Sequence, residues 1–365
     1  MIPYEDLKRL NEPFEDDLRT AFDTVLQKGH YILGQRLEIF EAEFAAYHSV
    51  RYCVGVSNGL DAIILALKAL DLPPDSEVIV PSNTYIATIL AVIACGLTPV
   101  LVEPDIHTYN IDPAKIEAAI TPKTKVLLVV HLYGKVCEMD SILRIKEEHS
   151  LFLVEDCAQA HGATYKNKLA GTFGEFGAFS FYPTKNLGAL GDAGAVICNS
   201  DAHRNTLLQL RNYGSNRKYY NDIVGYNNRL DEMQAAFLSV KLKALDRMNE
   251  HRNHLASLYH HNLNQNYILP VRDNNFFDVF HIYNIRHPHR DQLQKYLQDK
   301  GIGTVIHYPV PPHRQKAMSG LFEGKDYPIA DEIHSTTLSL PCSFCHKEEE
   351  IKEVIDTLNN FQSTP

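Results

Sequence analysis

The sequence predicts an α/β protein: a large domain on a mostly parallel central sheet, then a smaller C-terminal α+β domain. Three observations carry this. Short, continuous apolar runs recur through the first two thirds of the chain, as strands buried on both faces of a parallel sheet require. Helical patterns lie between most of them, which is the alternation of an α/β layout. Near residue 250 the texture changes, so the chain divides into 1–250, with the N-terminal segment, and 251–365.

Taken in order, the expected strands of the large domain are Glu77–Val80, Pro99–Val102, Val126–Val130, Leu151–Val154, Ala178–Phe181 and Ala195–Cys198. The segment Val54-Gly55-Val56 leads from a strand into a helix over Leu60–Leu70. From Leu230 to about Leu263 the pattern is one long helix. Leu230, Met233, Phe237, Val240, Leu245 and Met248 fall near one of its faces. Beyond it, Val279–Ile285 reads as a strand, Arg290–Lys300 as a helix, Thr304–Tyr308 as a strand and Lys347–Phe361 as a last helix. There is no internal repeat and no low-complexity tract.

Composition narrows the function. The 365 residues are 45% apolar and 22% charged, with a net charge of −10. Nucleic acid demands a basic face, so with this acidic balance no nucleic acid partner is expected. No apolar run reaches the roughly 18 residues of a membrane span. The start, Met1-Ile2-Pro3-Tyr4-Glu5-Asp6, lacks the basic-then-apolar plan of a signal peptide, so a cytoplasmic protein is expected. The seven scattered cysteines then read as reduced core residues. Cys342-Ser343-Phe344-Cys345-His346 offers half a zinc site, but no second cysteine pair lies nearby. It reads as a buried turn, and no metal is expected.

The chemistry centres on Lys185, in a loop just past an apolar strand, and on Asp156, 29 positions earlier at the end of another. A lysine and an acid at two strand ends, among glycines, suit pyridoxal phosphate (PLP). The amine attaches the cofactor and the carboxylate keeps its pyridine nitrogen protonated. Alone, each has an ordinary reading: a solvated lysine, a helix cap. Val54-Gly55-Val56-Ser57-Asn58-Gly59-Leu60-Asp61 passes from strand to helix, and a helix start is an anion site as well as a plain N-cap. Ser180 can donate to a phosphate. Gln159, three positions after Asp156, can reach the same ligand. His161 reads as structural. Tyr85 follows a strand and either stacks on a ring or simply packs. Gly188, Gly191 and Gly194 let the lysine loop lie against a flat ring. Their spacing is not the G-x-G-x-x-G of a dinucleotide site, and no P-loop is present. Arg211, Arg217 and Lys218 cluster on an acidic chain, either as solvated surface or as partners of a diphosphate.

Six segments together resemble a known family. They are Val56-Ser57-Asn58-Gly59, Glu155 to Gly162, Ser180 to Gly188, Gly191-Asp192-Ala193-Gly194-Ala195, Gly225 to Glu232, and Ile306-His307-Tyr308-Pro309. Over essentially its whole length the chain resembles the DegT/DnrJ/EryC1/StrS sugar nucleotide aminotransferases of PLP fold type I. The resemblance implies that Lys185 carries PLP and shuttles protons, that Asp156 pairs with the pyridine nitrogen and that Gln159 contacts the ring hydroxyl. Tyr85 would stack on the ring, while the Gly59 and Leu60 amides and the Ser180 hydroxyl hold the phosphate. Position 60 is often Thr in the family, and Leu60 keeps a backbone contact but no hydroxyl. Asn227 would reach the phosphate from the other subunit, so a homodimer with shared sites is implied. Tyr182, Arg217, Lys218, His307, Tyr308 and His313 are the expected substrate contacts.

The resemblance is greatest to the branch that aminates C3 of dTDP-3-keto-6-deoxyhexoses, with L-glutamate as donor and surface glycans such as O-antigen as destination. A C4 aminotransferase acting on a UDP- or dTDP-4-keto sugar is the alternative within this chemistry. A ligand-sensing protein without catalysis is the alternative outside it. Lys185 argues against the related dehydratases, which carry histidine there.

Overall fold

The computed structural model describes residues 1–362. Its centre is a seven-stranded sheet of β1 (Tyr52–Val56), β2 (Glu77–Pro81), β3 (Thr98–Val102), β4 (Thr124–Val130), β5 (Phe152–Asp156), β6 (Phe176–Ser180) and β7 (Gly194–Cys198). The spatial order is β1-β7-β6-β5-β4-β2-β3, and β7 alone runs antiparallel to its neighbours.

Side-chain alternation sends Ile79, Leu127, Val129 and Leu153 to one face of the sheet. There they meet α1 (Gln35–Tyr47) through Phe40 and Phe44, and α4 (Met139–Glu148) through Ile142 and Ile145. Helix α2 (Gly59–Ala69), α3 (Ile86–Ala94) and α5 (Asp201–Leu210) cover the other face, over Val78, Val80, Val126, Leu128 and Val154. With both faces buried, each strand has to be apolar throughout, which is why the runs read continuously in the sequence.

The smaller unit has its own core. β8 (Tyr283–Arg286) pairs antiparallel with β9 (Thr337–Leu340). Leu255, Tyr259, Leu293, Leu297, Ile351 and Val354 pack around them.

Three expectations need correction. The single helix over 230–263 is two: α6 (Glu232–Leu242) and α7 (Leu245–Asn262). The break at Lys243-Ala244 turns the chain from the large core, which holds Phe237 and Leu238, to the small core, which holds Leu255 and Tyr259. Both halves bury one face, so the apolar stripe runs across the break unmarked. Second, 304–308 is not a strand. Val305 makes one isolated bridge to Ser339, and the prolines at 309, 311 and 312 offer no amides to extend it. Third, the strand expected over 279–285 forms only at 283–286, because Phe280 sits at φ +43° and interrupts the extended run. The first residues of the chain pack against C-terminal elements. Ile2 bridges Ile302 and joins the small core, and Arg9 pairs with Glu350 at 2.9 Å.

Candidate active site

The carboxyl ends of the parallel strands converge on one cavity of about 540 Å³. Ligands collect at this edge of an open α/β sheet. Asp156 closes β5, and Ser180 closes β6 beside Gly194 of β7. Adjacent strand residues point to opposite faces, so Glu155 and Asp156 part company. Asp156 faces α3, where the Thr88 hydroxyl donates to Oδ2 at 2.8 Å, and the Ala158 amide donates to Oδ1 at 3.1 Å. Burial raises the Asp156 pKa, while Thr88, the Ala158 amide and Lys185 pull it down. Glu155 turns to the other face. Its carboxylate accepts from the Gly171, Phe173 and Gly174 amides and from His131 Nε2 at 2.9 Å. That carboxylate is saturated and fixes the end of β5, although its oxygen lies with His131 and Cys157 in an arrangement that could ligate a metal ion.

Lys185 lines the same cavity, and burial lowers its amine to about 8, with Asp156 pulling it back up. A buried amine of this kind is half neutral near pH 8, the state a nucleophile or proton carrier needs.

Asn58 caps α2, its side chain accepting from the Asp61 amide at 2.9 Å. The Gly59 and Leu60 amides at the first two helical positions therefore have no intrahelical partner. Gly59 is required here: a Cβ would lie 2.5 Å from that of Ser180. The same crowding explains Gly194, whose Cβ would meet the Asn58 carbonyl oxygen at 2.4 Å. Close backbone approach, not a flat ring, accounts for that glycine.

The cavity wall comes from three further segments. Tyr85 precedes α3 and leans on Tyr308, with ring centroids 5.0 Å apart. Gln159 donates to the Tyr308 hydroxyl at 2.9 Å and accepts from the Tyr133 amide at 2.6 Å. The irregular 304–308 segment delivers His307 and Tyr308. Its bends are held by the Tyr133 hydroxyl, which donates to the His307 carbonyl, and by His334 Nδ1, which donates to the Tyr308 carbonyl at 2.7 Å. His307 Nδ1 bonds Ser339 at 2.9 Å, and burial drops this imidazole to about 4. Tyr182 stands at the rim, about half exposed.

The structure thus gathers Gly59, Leu60, Tyr85, Asp156, Gln159, Ser180, Tyr182, Lys185, His307 and Tyr308 around one space. Three expected substrate contacts lie elsewhere, and so does Asn227, which the resemblance assigns to the cavity of a second copy. Arg217 and Lys218 sit on an exposed hairpin, Ser215–Arg217 with Tyr220–Asn221, and lie over Tyr220 and Tyr219. Asn227 is exposed and bridges Asn212. His313 lies off the cavity, bound to Asp331 at 3.0 Å. His346 uses both ring nitrogens, on the Ser343 amide and the Pro3 carbonyl. His161 packs between Phe179 and Phe181, and burial lowers it to about 3.

Sequence reasoning missed Thr88, Asn186 and His281. For Thr88 a signal existed: it sits in the first turn of the helix that Tyr85 introduces. His281 carried none, because its approach to Lys185 spans two cores.

A free helix start against a serine hydroxyl fits a phosphate, a buried carboxylate fits a protonated ring nitrogen, and a buried low-pKa amine fits an aldehyde. Fold and site together define a PLP-dependent enzyme. The model of the DegT/DnrJ/EryC1/StrS aminotransferase family matches residues 14–359, and the chain belongs to that family. It is a PLP-dependent aminotransferase.

Among curated relatives, the dTDP-3-amino-3,6-dideoxy-alpha-D-galactopyranose transaminase of Aneurinibacillus thermoaerophilus is 48% identical over 362 residues, covering 99% of each chain. The dTDP-3-amino-3,4,6-trideoxy-alpha-D-glucose transaminase of Streptomyces venezuelae is 44% identical, over 99% of this chain and 96% of that one. Among solved structures, S. venezuelae DesV superposes with a TM-score of 0.95 at 44% identity, covering 98% and 97% of the two chains. Bacillus subtilis NtdA with bound cofactor PMP gives 0.91 at 33%, covering 98% and 84%. No helix of the described residues is long and apolar enough to cross a membrane.

Proposed function

We propose that the protein moves an amino group from L-glutamate to C3 of a dTDP-3-keto-6-deoxyhexose, giving a dTDP-3-amino-3,6-dideoxyhexose. The observation that carries this reading is the 48% identity, over 99% of both chains, to a transaminase of that product class. PLP would supply an electron sink for the substrate carbon. The protein's part is to hold and move charge. Asp156 keeps negative charge at the ring-nitrogen end, while Lys185, once free, takes the proton from one carbon and returns it to another.

Arg217, Lys218 and Asn227 serve the cavity of a second copy in this reading, since none lines its own. The exposed hairpin of Arg217 and Lys218 also carries Tyr219, 86% exposed, and Val224, 90% exposed, follows it, together a surface waiting to be covered. The diphosphate would lie against the two cations, and Asn227 beside the phosphate of PLP. His313, tied to Asp331, is not needed for this scheme. The protein works in the cytoplasm, as a homodimer, in surface glycan synthesis.

One experiment tests the substrate. Purified holoenzyme is given glutamate with dTDP-3-keto and dTDP-4-keto sugars side by side, and products are identified by mass spectrometry and NMR. The 3-amino sugar is expected, and exclusive turnover of the 4-keto sugar rejects the proposal. Sedimentation should give twice the monomer mass, and a monomer with full activity rejects the shared site.

A further inference from the structure

His281 comes from the small unit, immediately after the left-handed Phe280, and lines the cavity with Lys185. Its tautomer can be derived. Asn186, the residue after Lys185, is buried, and its amide nitrogen donates to the Val279 carbonyl at 3.0 Å and to Asn249 Oδ1 at 2.8 Å. A main-chain carbonyl only accepts, so the group facing it is the NH2. Asn249 is oriented in the same way, its Nδ2 donating to the His161 carbonyl at 2.7 Å. With both amides fixed, the atom of Asn186 that faces His281 Nδ1, at 3.2 Å, is an oxygen. Nδ1 therefore carries the hydrogen. Burial, then the charge on Lys185, push the imidazole well below its ordinary pKa, so the ring is neutral. Nε2 is left with a bare lone pair in a cavity-lining side chain.

A neutral lone pair is selective between the two substrates. The carboxylates of glutamate offer only acceptors and gain nothing from it. A sugar hydroxyl offers a donor. We infer that His281 is a substrate-binding residue whose Nε2 accepts a hydrogen bond from a hydroxyl of the sugar, in the tautomer that Asn186 imposes. The inference rests on the proposed keto-sugar acceptor, and it predicts that His281 serves one half of the reaction only.

The test follows each half-reaction separately in single turnovers, by the absorbance of the bound cofactor. For H281F the sugar half should slow at least about tenfold more than the glutamate half, the cost of one lost hydrogen bond in a buried site. Equilibrium binding of the dTDP-amino-sugar product should weaken by a similar factor. H281N, whose amide can donate to Asn186 and accept from the sugar, should recover part of both losses. In the wild-type holoenzyme, nitrogen NMR should find Nε2 unprotonated, with a resonance that moves on adding the dTDP-amino sugar and not on adding 2-oxoglutarate. Equal slowing of both halves overturns the inference, and so does a protonated Nε2. Failure of the substrate proposal is a different result: wild-type enzyme that takes an amino group from glutamate and turns over no dTDP-3-keto sugar.

Discussion

Lys185 and Asp156 are both buried, and burial pushes their pKa values toward each other, the amine down and the acid up. Lys185→Ala should abolish transamination and the visible absorbance of bound PLP while circular dichroism stays unchanged. The same substitution has a signature without cofactor. Unfolding returns the amine from about 8 to its ordinary 10.5, so the unfolded chain binds more protons between those values. Stability of the cofactor-free protein then rises with pH across that window. The alanine variant should show a smaller rise in urea midpoint from pH 8 to 10.5, the remainder including Lys241, another buried amine lowered to about 8. Thr88→Val removes a donor from the Asp156 carboxylate. The Asp156 pKa then moves further up, so the acidic limb of the rate profile shifts to higher pH, and PLP affinity falls about tenfold. An unmoved limb in pre-steady-state assays would remove Thr88 from the site.

Among elements, the start of α2 and the end of β5 do most of the positioning. Gly59→Ala drives a methyl group into Ser180, and overpacking of this kind costs about 1–3 kcal/mol. The expected outcome is PLP affinity reduced at least tenfold, measured by titration of the cofactor-free protein, with a lower melting temperature. These two elements were legible because strand-to-helix transitions and strand-end acids leave local marks: Asn58-Gly59 after an apolar run, Glu155-Asp156 after another. The lost strand at 304–308 was not. Its apolar composition suits extended backbone, but pairing stops at the single bridge from Val305 to Ser339, because the prolines that follow have no amides to extend it. The break at Lys243-Ala244 was hidden for a related reason, since a helix that leaves one core for another keeps its apolar stripe.

On the scale of the whole molecule, two cores meet around the site, and the chain's first residues tie them. Ile2 is 5% exposed in the small core, and Glu5 accepts from Ser343 at 2.7 Å. Deleting Met1–Asp6 should cost about 2–3 kcal/mol of unfolding free energy, the worth of one buried isoleucine and its neighbours. Urea unfolding with tryptophan-free detection by circular dichroism would measure it. A deletion with wild-type stability would show that these contacts carry no net energy.

The sequence by itself determined the α/β class, the sheet's buried strands and the lysine–acid pair, because period, burial and chemistry are written in neighbouring residues. Tertiary structure alone decided which distant groups share the cavity. Thr88 on Asp156, Tyr133 on the 307–308 segment and His281 on Asn186 are contacts between residues 68, 174 and 95 positions apart. No local pattern encodes such distances. They follow from how the two cores dock, which depends on the packing of the whole chain.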